Sequence, residues 1–197
     1  MQRSLCTLAA LLALAAAFAS IAAAASVSVR VEGKTTSIFG AAEPRVSAAN
    51  AMAALDTASF LGEFYYHVTT TSFGPYVDQI GRYPAGGANG WVFKVNGASP
   101  PVGADQVTLN DGDRVLWYYA AFGPAGGPPT LQLTRTSRNC YRAVSESDAG
   151  TDTAAAGAVL RVDGRRVKTR AGRGCVGKHN GLVRATLTGA VRSNALR

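Results

Sequence analysis

The stretch Gly90–Tyr119, GWVFKVNGASPPVGADQVTLNDGDRVLWYY, decides the reading of the fold. It contains two or three strand segments separated by strong turn signals. Val95-Asn96-Gly97-Ala98 spells a tight hairpin turn, because Asn-Gly accepts the positive φ that such turns require. Asn110-Asp111-Gly112-Asp113 spells a second turn, leading into the alternating run Arg114–Tyr119. In that register Phe93, Trp117 and Tyr119 take alternating strand positions and are expected in a core. Trp91, Tyr76 and Tyr118 fall at strand ends, in loops or on the opposite face. There, an indole beside a glycine-rich loop either stacks on a ligand or packs inward.

Working toward the N-terminus, Ser26–Glu32 alternates as a strand with its valines on one face, and Thr35–Phe39 returns after a turn at Gly33-Lys34. Pro44 and Ser47 announce an Ala-rich helix from Ala48 to Phe60, ended by Gly62. Glu63–Thr70 reads as a further strand and Ser72–Gly90 as loop. A helix of about three turns laid on a four- or five-stranded sheet defines an α+β domain of the β-grasp plan over residues 26–122. Residues 123–129, GPAGGPP, read as a linker that leaves the two halves loosely oriented. Residues 130–197 carry short strands near Leu131–Thr134, Tyr141–Val144, Ala158–Val162 and Leu182–Leu187, with Asp163-Gly164 as a hairpin turn. They are expected to form a small all-β sandwich.

The chain opens with Arg3, an apolar run from Leu8 to Ile21 and small residues at Ala22–Ala25. Residues 1–25 are therefore expected to be a signal peptide, cleaved near Ala25, with the mature chain secreted or held at the cell envelope. The run is short for a bilayer span, and no later segment is long and apolar enough to be one. Removal of Cys6 with the leader leaves Cys140 and Cys175. In an exported chain the pair reads as one disulfide, the alternative being two free thiols. Charge divides unevenly. Residues 26–127 hold six Lys or Arg against eight Asp or Glu, a net of −2, whereas residues 128–197 hold thirteen against four, a net of +9. Either the basic half presents a solvated face, or it attracts an anionic wall polymer or acidic lipid. With no helical or aromatic reading surface evident, nucleic acid is not expected as a partner.

The combination GWVFKVNG, VGAD and LNDGDRVLWYY, with Ser72–Val77, Ile80-Gly81 and the opening VSVRVEG, resembles the transcobalamin-like C-terminal domain of bacterial secreted proteins. It also resembles the wider group of soluble-ligand-binding β-grasp domains. The resemblance covers Ser26–Phe122 and implies a β-grasp fold, secretion and a ligand-binding role. It places Trp91 at the aromatic position near ligand, with Tyr76 on the preceding loop as the next contact, and carries cobalamin binding as a remote alternative. More loosely, Val162-Asp163-Gly164 and the run Val183–Asn194 resemble immunoglobulin-like or carboxypeptidase-regulatory-like modules.

No catalytic constellation is legible. His67 and His179 have no evident partners, and the nucleophile, zinc-protease and phosphate-loop motifs are absent. Asp105, Asp111 and Asp113 suggest an oxygen-rich calcium loop, but the spacing and terminal Glu of such loops are missing, so a turn with capped backbone donors accounts for them. The expectation is a non-enzymatic module without cofactor or metal, binding a small molecule or an envelope protein through Trp91 and Tyr76. A structural or adhesion role at the cell surface is the alternative.

Overall fold

The computed structural model describes residues 24–124 and 126–197, so the expected leader lies almost wholly outside the described residues. The first strand begins at Ala25, whose side chain is already buried against the fold. No helix among the described residues is long and apolar enough to cross a membrane. The structure is predominantly strand, with one short helix and several sheets.

The first half contains β1 (Ala25–Glu32), β2 (Ser37–Phe39), β3 (Arg45–Ala48), α1 (Ala51–Gly62), β4 (Tyr66–Thr71), β5 (Gly74–Ile80), β6 (Tyr83–Pro84), β7 (Asn89–Val95) and β8 (Arg114–Ala121). Its main sheet runs β2-β1-β8-β7, with β3 also pairing along β1. The central β1–β8 pair is parallel, in register from Ser28–Arg114 to Glu32–Tyr118, and every other pair in the sheet is antiparallel. Alternation puts Val27, Val29 and Val31 on one face, where they are fully buried against Ala51, Ala54, Leu55 and Ala58 of α1. Asn50 caps the helix, its Oδ1 accepting the Ala53 N–H at 2.8 Å.

Three boundaries differ from the sequence expectation. The segment expected to open the helix at Ala48 forms β3, because residues 45–48 pair along β1, and the helix starts after its Asn50 cap. The Glu63–Thr70 strand starts only at Tyr66, after a left-handed Glu63 closes α1. Residues expected as loop instead form β5, which pairs with β4 from Tyr66–Ile80 to Thr71–Gly74. Pro75 is tolerated because it sits near the start of a strand.

The second half contains β9 (Thr130–Ser137), β10 (Cys140–Glu146), β11 (Asp152–Ala154), β12 (Val159–Val162), β13 (Arg165–Lys168), β14 (Arg173–Cys175), β15 (Val183–Thr186) and β16 (Ala195–Leu196). One four-stranded sheet joins β9, β10, β11 and β14; another runs β13-β12-β15-β16. They share a core that includes Leu131, Leu133, Tyr141, Leu160 and Val183. Asp163 (φ 47°) and Gly164 (φ 73°) make the expected turn between β12 and β13. Cys140 and Cys175 are direct cross-strand partners on β10 and β14 and are joined by a disulfide.

The face of the main sheet opposite α1 is covered as well. Leu116, Tyr118 and Ala120 of β8 are buried there, with Val92 and Val191 packed against them. On β1 the same face carries Arg30 (2% exposed) and Glu32 (fully buried). The Glu32 carboxylate accepts from Arg184 Nη2 at 2.9 Å, Arg192 Nη1 at 3.0 Å and Ser37 Oγ at 2.8 Å. Arg184 Nη1 also donates to Ser37 Oγ. Arg30 donates to the carbonyls of Arg192 and Leu131, at 2.7 and 3.4 Å. On β7, the fully buried Lys94 ammonium donates to the carbonyls of Glu146 and Ser147 at 3.0 and 2.9 Å and lies 3.3 Å from Asp148 Oδ1. The loose orientation of the halves expected from residues 123–129 is overturned by these contacts. The sheets on either side are joined by this buried ionic seam, so the charge difference between the halves is partly spent inside the molecule.

Candidate ligand-binding site

A cavity of about 350 Å³ lies beside β7, within the size range of small-ligand pockets. Its helix-side wall is Met52, Trp91, Phe93 and Trp117; Pro75, Tyr76 and Val77 of β5 face it, and the 99–104 loop closes one end. These walls follow from the pleat. Trp91 and Phe93 are two apart on β7, opposite Tyr119 and Trp117 on β8, so the four rings share one face. The Trp91–Tyr119 centroids are 5.4 Å apart in an edge contact, and those of Phe93 and Trp117 are 5.1 Å apart.

Both expected contact residues border this cavity, in different ways. The Trp91 indole, expected at a strand end, is only 1% exposed and donates Nε1–H to Tyr83 O at 2.8 Å, so it is a wall of the core rather than a free platform. Tyr76 is 38% exposed and stands at the mouth, its hydroxyl passing over Gly90 where any Cβ would meet it at 2.6 Å. Tyr118 is buried on the opposite face, where burial, helped by nearby Asp148, raises its phenol well above the ordinary tyrosine range. Sequence reasoning missed the contribution of Met52 and of Ser99–Ala104. Only the placement of α1 and the loop over β7 brings them there.

Other sequence candidates resolve into structural roles. Asp111 Oδ1 accepts the Ser26 N–H at 2.7 Å, and Asp113 accepts from the Asn110 N–H and the Asn96 amide at 2.8 and 2.7 Å. Asp105 stands apart from them, its Oδ1 beside Gly103. No cluster of three or more His, Cys, Asp or Glu suited to a metal ion occurs among the described residues. The histidines do have partners. His67 Nδ1 lies 2.7 Å from Asp78 Oδ1 on the exposed β4–β5 hairpin, and His179 Nε2 lies 3.0 Å from the Tyr141 hydroxyl. The Asp78 carboxyl is held below its ordinary range, first by the Thr69 hydroxyl and then by His67. Tyr141 is fully buried in the core of the second half.

Residues 47–121 match the family described as Domain of unknown function (DUF4430), which falls in the transcobalamin-like grouping. The matched segment runs from within β3 to the end of β8 and takes in α1, the β4–β5 hairpin and most of the cavity wall. It is less than half of the chain. No curated protein matches the sequence.

Proposed function

We propose that the protein is an exported, non-enzymatic binding module. Its first half is a β-grasp domain that holds a small molecule or a protein partner in the cavity between β5, β7 and the 99–104 loop. The β-grasp assignment rests on the β1–β2 hairpin, the crossing helix and the parallel β1–β8 pair. The observation that carries the binding reading is the cavity itself: about 350 Å³, walled by four aromatic or thioether side chains, with the half-exposed Tyr76 at its entrance. A corrinoid exceeds that volume and could insert only an edge, which keeps cobalamin a remote alternative. Location at the envelope is supported by the leader-like residues 1–25, and attraction to anionic wall polymer by the excess of Lys and Arg in residues 130–197.

The test is a screen of metabolites and peptides against the mature chain, read by tryptophan fluorescence, since Trp91 and Trp117 both line the cavity. A saturable spectral change that Tyr76→Ala weakens supports the reading. Silence across the screen removes it. A surface-assembly role is favoured by one separate feature, the exposed Phe60 and Leu61 in the last turn of α1 with Tyr65 just beyond it.

A further inference from the structure

The cavity lies along an unpaired sheet edge, and this narrows what can fill it. β7 is the last strand of its sheet and pairs only with β8. The Asn96 N–H donates to Arg114 O across that pair, so even-numbered positions of β7 turn their main-chain groups toward β8. Odd-numbered positions point away from it. Of these, Val95 exchanges both bonds with Ala98, and Asn89 exchanges both with Gly86. Trp91 and Phe93 lie between, and their N–H and C=O groups have no partner among the described residues. Two such donor–acceptor pairs, about 7 Å apart, match the repeat of an extended polypeptide.

The surroundings suit that shape. A second groove, also about 350 Å³, shares Tyr76, Val92 and Phe122 with the first and continues along β7 to Asn89 and Gly87. Trp91 and Phe93 border the channel on the helix side, and Val92, Tyr118 and Phe122 on the other, giving apolar sites of alternating side. Charge adds little selection: Asp148, 44% exposed at the Ser99 end, is already paired with the buried Lys94 ammonium at 3.3 Å.

We infer that the occupant is an extended peptide segment of a partner protein. It adds to the edge of β7 through the main chain of Trp91 and Phe93 and buries alternate apolar side chains. This rests on the binding role proposed for the same cavity and specifies its ligand. The free edge is preserved by the Asn96-Gly97 turn: Gly97 stands at φ 88°, and the chain makes one bridge, at Ala98, before leaving β7.

The probe is a library of acetylated, amidated heptapeptides with apolar residues at alternate positions, titrated into the ¹⁵N-labelled mature chain. The tightest sequence is then remade with single N-methyl groups along its backbone. Strand addition predicts a loss of about tenfold in affinity at alternate amides and little change between them, with slowed hydrogen exchange at the Trp91 and Phe93 amides. A flat N-methyl scan overturns the inference. So does a chain that binds only non-peptide ligands, although the cavity reading would then survive. Absence of any ligand removes both. A concentration-dependent dimer that protects the same two amides without peptide also overturns it, by making the occupant a second copy of the chain.

Discussion

Replacing Glu32 with Gln removes the one carboxylate at the centre of the ionic seam while preserving side-chain shape. Glu32 is fully buried and accepts from Arg184, Arg192 and Ser37. Arg30 Nη1 lies a further 3.6 Å away, and Glu43 is the other carboxylate facing that guanidinium, at 3.5 Å from Nε. Arg30 and Arg184 are desolvated enough that burial lowers both below the ordinary arginine range despite the attraction of Glu32. Without the carboxylate, three guanidinium groups face one another across the joint. Loss of one partner from a buried pair costs about 3–5 kcal/mol, so Glu32→Gln should destabilise the protein by at least about 3 kcal/mol in urea. Calorimetry should show the two halves melting as separate transitions. Arg184→Met in the same background should recover part of the loss, because it removes one of the stranded charges. Salt should alter the wild type little, since the seam is hidden from solvent ions. A change below about 1 kcal/mol, with one transition retained, would refute the view that the seam couples the halves.

Three further outcomes follow from single sites. Reducing the Cys140–Cys175 bridge, which closes a separation of 35 residues, should lower stability by about 3–4 kcal/mol; a reductant-independent urea midpoint would contradict this. Trp91→Ala should cost about 3–5 kcal/mol in equilibrium unfolding, because the indole is a core element with a buried hydrogen bond, and a negligible loss would return it to the surface. Tyr83, held by hydrogen bonds from Thr35 and Arg82, should ionise at about 8, and Tyr66, buried against Asp56, only at about 12. The lowered Tyr83 value favours the folded state above the ordinary tyrosine range, and that gain disappears as pH falls through 8. Tyr66 has the opposite sign: its contribution is present below the ordinary range and is lost as pH rises towards 12. Ultraviolet difference titration should therefore show an early phenolate step that Tyr83→Phe abolishes; its persistence would reassign it.

Patterns that depend on local register were legible in the sequence. The alternating valines of β1 and the Asn96-Gly97 and Asp163-Gly164 turns follow from spacing or backbone preference, and the Cys140–Cys175 pairing from the even count of cysteines in a chain expected to be exported. The boundary errors have local physical causes. Pairing with β1 drew Ser47 into a strand and left Asn50 to cap the helix, and Pro75 suggested a loop although a strand can start there. Burial of Arg30, Glu32 and Lys94 was not legible. Each lies at a position that alternation assigns to the outer face, and its partners stand far away in sequence, at Arg184, Arg192 and Glu146. The site was half legible. The motif pointed to Trp91 and Tyr76, which do border one cavity. The unpaired edge beside them became visible only with the register of β7 against β8.

The central claim is that this cavity is where ligand binds, and Tyr76 is its most accessible aromatic wall. The direct measurement is the dissociation constant of the tightest ligand recovered from the screen, for wild type, Tyr76→Ala and Phe73→Ala. Phe73 is 93% exposed at the tip of the same hairpin and lines neither groove along β7. The account predicts a loss of about tenfold or more for Tyr76→Ala and no change for Phe73→Ala. Equal affinity for wild type and Tyr76→Ala, or a loss confined to Phe73→Ala, would place the site elsewhere.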